Sequence, residues 1–186
     1  MRKILLTSAG FETERILEIF QRLLNKKPSE AKALFIPTAA NFPGAVSVLP
    51  KCMNDLLKAG ILGENICVFD LHRNMEYAEL RRYYVVYFTG GSPEYLLERI
   101  NKTGFNKSLD EFINNGGIYV GVSAGSMVAT NNLPDSLKYI NCTLSVHTSI
   151  GTKNGIINTT ENPHIDLTDN HAILILDDIC DIVGNA

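Results

Sequence analysis

The stretch GIYVGVSAG, residues 117–125, decides the fold. An apolar run, then G-x-S-x-G, then the helix-compatible SMVA of residues 126–129 predicts a strand, a sharp turn and a helix, the arrangement of a nucleophile elbow. Such a turn holds Ser123 in strained backbone at the top of a sheet, and its flanking glycines remove side chains that would clash. We expect the first amides of the following helix to point at the reaction centre, where negative charge develops. The alternative is a tight turn whose serine is buried and only structural.

Short apolar runs alternate with helical patterns on either side of this stretch. Apolar residues at helical spacing predict helices, and short uninterrupted apolar runs predict buried strands. The predicted strands are residues 4–6, 33–36, 66–69, 85–88 and 117–120, and the predicted helices are residues 11–24, 49–57, 93–101 and 106–114. After about residue 138 we predict strands only, at residues 140–146, 155–157 and 172–176.

This alternation indicates an α/β fold with a mostly parallel sheet covered on both faces, and a β-rich C-terminal part. Its 186 residues are typical of one domain, which we take as residues 1–186. Sites in such sheets form at the carboxyl ends of strands. Three loops with small polar residues, 7–10, 89–92 and the elbow, should therefore lie on the same edge.

Composition excludes several classes of function. The net charge of −3 and the pI near 5.8 argue against a nucleic-acid partner. No run approaches the ~20 apolar residues of a membrane span, and only three apolar residues follow Met1-Arg2-Lys3, too few for a signal peptide. We therefore expect a cytoplasmic protein with no membrane contact. Its oligomeric state is open, a homodimer being one option.

Neither a metal nor a cofactor is predicted. The four cysteines are widely spaced, with no C-x-x-C pair, and we expect them to be reduced and mostly buried. His164 and His171 flank an acidic segment that could suggest a metal site, but the alternating spacing resembles a hairpin more than a compact ligand motif.

A nucleophilic serine needs an oxyanion hole as well as a base. The Ala124 amide, one residue past Ser123, is a natural donor. Gly90 and Gly91 can supply the second, because amides without a neighbouring side chain can approach a substrate carbonyl closely. Ser92 follows this pair and is predicted to contact the oxyanion or the substrate. It is also predicted to cap the helix that begins at Pro93.

Among the histidines, His147 is the preferred base. It ends a predicted strand and opens a polar loop, which suits general-base work. His164 is the alternative, and His72 lies in a polar loop where we expect it at the surface. For the group that orients the base, Asp135 is preferred because it lies between Ser123 and His147, as a Ser-Asp-His chain order requires. Asp169 is the alternative.

Together these motifs resemble the dipeptidase E and cyanophycinase family of serine peptidases, over nearly the whole chain. The segments similar to that family are KILLTS (residues 3–8), LFIPTA (34–39), FTGG (88–91), GVSAGS (121–126) and DLTDN (166–170). The stretch from Leu137 to His147 also resembles the strand on which the family places its histidine.

The resemblance implies a flavodoxin-like, three-layer α/β/α fold, as in class I glutamine amidotransferases, and a metal-free serine peptidase. Known members act on small peptides with an N-terminal or β-linked aspartate. This chain carries Ser92 where many members have Asn, its segment after His147 is short, and no arginine follows Arg99. An aspartate side chain needs a cation or several donors to offset its desolvation. We therefore expect aspartyl peptides to be poor substrates unless Lys153 supplies the charge.

The sequence thus predicts a serine peptidase of dipeptides or other short peptides. An amidase or esterase could use the same machinery. The non-enzymatic alternative is a member that has lost turnover and binds a small ligand or partner.

Overall fold

One mixed sheet separates two hydrophobic cores in the computed structural model, which describes residues 1–184. Its strands are β1 (Lys3–Thr7), β2 (Ala33–Ile36), β3 (Ile66–Val68), β4 (Val85–Phe88), β5 (Ile118–Val122), β6 (Thr143–Ser145), β7 (Gly155–Ile156), β8 (His164–Asp166), β9 (His171–Leu176) and β10 (Ile179–Gly184). Its helices are α1 (Glu14–Leu24), α2 (Pro43–Val46), α3 (Leu49–Lys58), α4 (Tyr77–Leu80), α5 (Pro93–Thr103), α6 (Phe105–Asn114) and α7 (Ala124–Met127). Short 3-10 turns lie at Pro28–Glu30 and Gly63–Asn65.

The main sheet has the order β3-β2-β4-β5-β1-β9-β10-β7. The first five of these strands are parallel, and β9, β10 and β7 continue the sheet in antiparallel fashion. β6 and β8 form a separate parallel pair. Thr7 at the end of β1 lies opposite Val122 of β5 and Ala172 of β9. The end of β1 is therefore flanked by the elbow on one side and the start of β9 on the other.

Alternate residues of each central strand enter opposite cores, because side chains along a strand point to opposite faces. Ile4 and Leu6 pack on the face covered by α5 and α6, whereas Leu5 packs on the face covered by α1 and α3. The result is the predicted three-layer α/β arrangement with a mostly parallel sheet. The helices fit this placement: α1 begins where the Thr13 hydroxyl accepts the Ile16 amide at 3.2 Å, and its buried side is apolar.

Four elements differ from the sequence-based predictions. The one-turn helices α2 and α4 and the strands β8 and β10 were not predicted, because each is short or mixes polar with apolar residues. The helix after the elbow, α7, spans only four residues. Its dipole is therefore small. Negative charge near this turn would be stabilised more by individual backbone amides than by the dipole of the helix.

The longest helices of the described residues, α1 and α5, have 11 residues each, and none of residues 1–184 forms a helix long and apolar enough to cross a membrane. The four cysteines are free thiols, and Cys67 is the exposed one. Burial raises the pKa of the Cys142 and Cys180 thiols to about 12, which keeps both protonated at neutral pH.

Gly121→Ala should destabilise the fold, because a Cβ there would lie 2.6 Å from the carbonyl of Gly125 and 2.7 Å from the Ser126 amide nitrogen. We expect a loss of about 2–3 kcal/mol in the free energy of unfolding, typical of overpacking against backbone. Gly63→Ala is the control, since its nearest neighbour, the Leu57 side chain, is 4.0 Å away. Urea denaturation checks the pair, and equal midpoints would contradict this packing of the elbow.

Candidate active site

Ser123 occupies the strained turn that the sequence predicts. Its backbone lies at φ 49° and ψ −104°, a region that a non-glycine residue adopts only when its surroundings impose it. The Ser123 amide donates to the Thr7 carbonyl at 3.0 Å. A Cβ on Gly125 would lie 2.7 Å from Phe88, so glycine allows the turn to pack onto β4.

A second serine, Ser126, has the purely structural role that Ser123 could have had. Ser126 is fully buried, and its hydroxyl lies 2.7 Å from the Thr7 carbonyl and 2.9 Å from the Gly121 carbonyl. Ser123, by contrast, is partly exposed and lines a cavity. The elbow therefore presents one serine to solvent and uses the next to fasten itself to β1.

His147 lies within hydrogen-bonding distance of the candidate nucleophile. Its Nε2 is 3.2 Å from the Ser123 Oγ. The residue follows β6 and has a left-handed backbone, with φ 57°. Its amide donates to the Ser8 hydroxyl at 2.7 Å, which fixes the loop at the end of β1.

The carboxylate behind His147 belongs to Asp169, and the preference for Asp135 is corrected. The Nδ1 of His147 lies 2.7 Å from the Asp169 Oδ1. Asp135 follows the one-turn helix α7 by several residues and packs beside α5, where its carbonyl accepts from Asn101 at 3.3 Å. It lines a different cavity, together with Glu94 and Leu97. Chain order suggested Asp135, but the turn from β8 to β9 brings Asp169 to the edge where β1 ends.

Ser8 connects the histidine and the carboxylate, a role that sequence reasoning missed. Its hydroxyl donates to the Asp169 Oδ1 at 2.9 Å, accepts the His147 amide, and lies 3.3 Å from the His147 Nδ1. Ser8 is fully buried. The available signal was its position in a small polar loop at a strand end, which predicted the location but not the contacts.

Asp169 is held in its ionised form. Partial burial raises its pKa, but hydrogen bonds from His147 and Ser8, with the charges of His147 and Lys51, outweigh that effect and hold the pKa below its usual range. An ionised Asp169 can accept a hydrogen bond from the Nδ1 of His147, and in that tautomer Nε2 can accept one from Ser123.

The other candidate base, His164, lies in the small β6–β8 sheet. Its Nδ1 is 2.8 Å from the Thr143 hydroxyl, and its Nε2 is 2.9 Å from the Ser145 hydroxyl. Asp166 is 3.3 Å from the same Nε2. Both ring nitrogens therefore have partners other than Ser123.

Gly90 and Gly91 face the elbow across the end of β4. A Cβ on Gly90 would lie 3.4 Å from the Ser123 Cβ, and one on Gly91 would lie 1.9 Å from the Ala39 carbonyl oxygen. Gly91 also has φ 141°, so the loop needs glycine there. Within residues 1–184, neither the Gly91 amide nor the Ala124 amide donates a hydrogen bond to a backbone carbonyl.

Ser92 caps α5, as the sequence predicts. Its hydroxyl accepts the Tyr95 amide at 3.2 Å, while its own amide donates to the Ala39 carbonyl at 2.8 Å. That amide is therefore occupied, and the predicted contact of Ser92 with an oxyanion or substrate has no support from its position.

A cavity of about 300 Å³ opens beside Ser123 and His147. Most of its wall is apolar, and one side of it comes from α2, α3 and the segment between them. Lys51 of α3 also lines it, whereas Lys153 does not. Within residues 1–184, no group of three or more His, Cys, Asp or Glu side chains is placed to hold a metal ion.

Comparisons with known proteins identify a peptidase family. The sequence profile of peptidase family S51 matches residues 4–166. An uncharacterized peptidase of Listeria innocua is 29% identical over 133 residues, which cover 72% of this chain and 62% of that protein. The match therefore spans about three-fifths of the length of that curated relative.

Two solved structures share the fold. A putative peptidase E of Listeria monocytogenes superposes with a TM-score of 0.75 at 20% identity, covering 100% of both chains. A peptidase from an acI-B1 Actinobacterium gives 0.72 at 18% identity, covering 100% of this chain and 88% of the other. At these identities the likeness concerns the fold alone.

Asp169→Asn should slow the reaction of Ser123 with a fluorophosphonate probe by roughly 10³- to 10⁴-fold. An amide in place of the carboxylate favours the wrong tautomer of His147 and cannot stabilise its protonated form. Asp135→Asn is the matched control and should label at the wild-type rate. Probe incorporation over time measures both, and the reverse order would restore Asp135 as the orienting acid.

Ser8→Ala should slow labelling between roughly tenfold and a hundredfold, because His147 loses the anchor of its backbone amide and drifts from Ser123. Ser145→Ala provides the control, since it removes a hydroxyl from His164 instead. Circular dichroism tests whether both variants fold. Equal labelling rates in the two folded variants would show that Ser8 does not position His147.

Proposed function

Because this chain belongs to peptidase family S51, a family of serine peptidases, we propose that it hydrolyses dipeptides or other short peptides with Ser123 as nucleophile. The observation that carries the proposal is a chain of hydrogen-bonding contacts from Ser123 through His147 to Asp169. The Ser123 Oγ lies 3.2 Å from the His147 Nε2, and the His147 Nδ1 lies 2.7 Å from Asp169. These contacts support the roles of nucleophile for Ser123, base for His147 and orienting acid for Asp169, in the order that acyl transfer requires.

In the first step, the Ser123 oxygen attacks the peptide carbonyl carbon while the His147 Nε2 takes the hydroxyl proton. The protonated imidazole is stabilised by ionised Asp169. As the tetrahedral intermediate collapses, the C–N bond breaks and His147 gives its proton to the departing amine. An acyl-enzyme remains on Ser123.

In the second step, water attacks the acyl-enzyme. His147 accepts a proton from the water and returns one to the Ser123 oxygen when the ester bond breaks. The products are a free carboxylic acid and the regenerated hydroxyl. The negative charge of both tetrahedral intermediates is stabilised by the Ala124 amide and by an amide from Gly90 or Gly91.

The alternative of a ligand-binding protein without turnover gains no support from the site. Ligand binding requires the cavity, but it does not require a strained serine aligned with a histidine and an ionised carboxylate. An amidase or esterase would use the same residues, and a panel of substrates separates these activities from peptidase activity.

Ser123→Ala should fold normally and lose hydrolysis by about a million-fold, because alanine cannot form an acyl-enzyme. His147→Ala should lose probe labelling as well, whereas His164→Ala should keep it. The measurements are dipeptide hydrolysis by ninhydrin assay and labelling by a fluorophosphonate, with folding checked by circular dichroism. A Ser123→Ala variant that keeps a tenth of wild-type turnover would refute the proposal.

A further inference from the structure

We propose that the cavity beside Ser123 takes an uncharged, apolar side chain of the substrate and that the Lys51–Glu12 ion pair excludes aspartate. This inference rests on the proposed peptidase function and names its substrate class. It departs from the aspartyl peptides that the family resemblance implies.

The walls of the cavity are built for an apolar side chain. They are formed by Phe42, Ala45, Val48, Cys52 and Val122. Ala45, Cys52 and Val122 are each no more than 5% exposed, so the floor is a fixed part of the core. Transferring an apolar side chain from water to such a floor is favourable, whereas a carboxylate there needs a cation or several donors.

The polar groups that line the cavity are already engaged. Ser123 and His147 belong to the reaction centre, and Ser8 holds His147 and Asp169. The remaining polar side chain is that of Lys51. A substrate carboxylate would therefore depend on Lys51 alone among the side chains of this cavity.

Lys51 is paired within the chain. Its ammonium group forms an ion pair with Glu12 and donates to the Ala9 carbonyl at 3.1 Å. The Lys51 charge also helps to lower the pKa of Asp169. An aspartate side chain would compete with Glu12 for the Lys51 charge, and it would bring a third carboxylate, besides Glu12 and Asp169, near a single ammonium group.

Arginines do not compensate. None of the seven lines the cavity. Arg2 and Arg99 donate to backbone carbonyls, and Arg73 pairs with Glu79, all away from Ser123. The charge that an aspartyl substrate requires is thus absent from the cavity unless Lys51 is released.

The experiment compares three side chains of similar size that differ in polarity and charge. Leu, Asn and Asp are placed at either position of a dipeptide with Ala, and kcat/KM is measured for each. In the series whose varied residue enters the cavity, we expect kcat/KM to be highest for Leu, lower for Asn and lowest for Asp. Glu12→Gln frees Lys51 and should raise the Asp-to-Asn ratio roughly five- to tenfold, while the Leu value changes by less than about twofold.

Two further variants assign the effect to Lys51. The double variant Glu12→Gln, Lys51→Met should lose the gain that Glu12→Gln produces. Glu14→Gln, a neutralised carboxylate two residues away at the start of α1, should leave all ratios unchanged. A wild-type preference for Asp over Leu, or an Asp-to-Asn ratio unaffected by Glu12→Gln in both series, would overturn the proposal.

Binding of the same peptides to Ser123→Ala, measured by calorimetry, separates this inference from the proposed function. Tighter binding of the Leu peptide, with no cleavage by the wild-type chain, would refute the peptidase reaction and support the apolar cavity. Tighter binding of the Asp peptide would refute the apolar cavity and leave the reaction intact.

Discussion

The contacts of Thr7 and Ser8, adjacent residues where β1 ends, hold the candidate site together. The Thr7 carbonyl accepts the Ser123 amide and the Ser126 hydroxyl, so it fastens the elbow. The Ser8 hydroxyl accepts the His147 amide and donates to Asp169. The elbow, His147 and Asp169, each more than 100 residues further along the chain, thus meet at this one dipeptide. This is possible because β1 lies between β5, which leads to the elbow, and β9, which follows the Asp169 turn.

Two residues of the site have backbone conformations that most side chains avoid. Ser123 has φ 49° and His147 has φ 57°. Each such residue costs of order 1–3 kcal/mol, and persists only when its neighbours fix it. Here the same β1 dipeptide bonds to the amides of both residues. The sheet edge thus fixes both conformations, and it holds the Ser123 Oγ and the His147 Nε2 3.2 Å apart.

The sequence predicted what depends on local pattern and missed what depends on placement. Ser123 and the three-layer fold follow from an elbow motif and from continuous apolar strands. Chain order favours Asp135 over Asp169, because it shows which acid precedes a histidine but not which one the turn before β9 brings beside it. Position along the chain likewise favours Lys153 as the basic group, although a residue near His147 in sequence need not be near it in space. The cation at the cavity, Lys51, comes from α3, in the first third of the chain.

The loop after β1 connects the candidate active site to the proposed determinant of specificity. It carries Ser8, which bonds to His147, and Glu12, which pairs with Lys51. Between them, the Phe11 amide donates to the buried Asp55 carboxylate at 3.0 Å, and Tyr87 donates to the same oxygen at 2.6 Å. A Cβ on Gly10 would lie 2.1 Å from that oxygen, so the loop can approach α3 only with glycine there. Because Asp55 and Lys51 lie one turn apart on α3, this anchor sets the distance between Glu12 and Lys51. A change of substrate preference is therefore easier through side-chain charge at Glu12 than through the path of the loop, since any shift of the loop would also move Ser8.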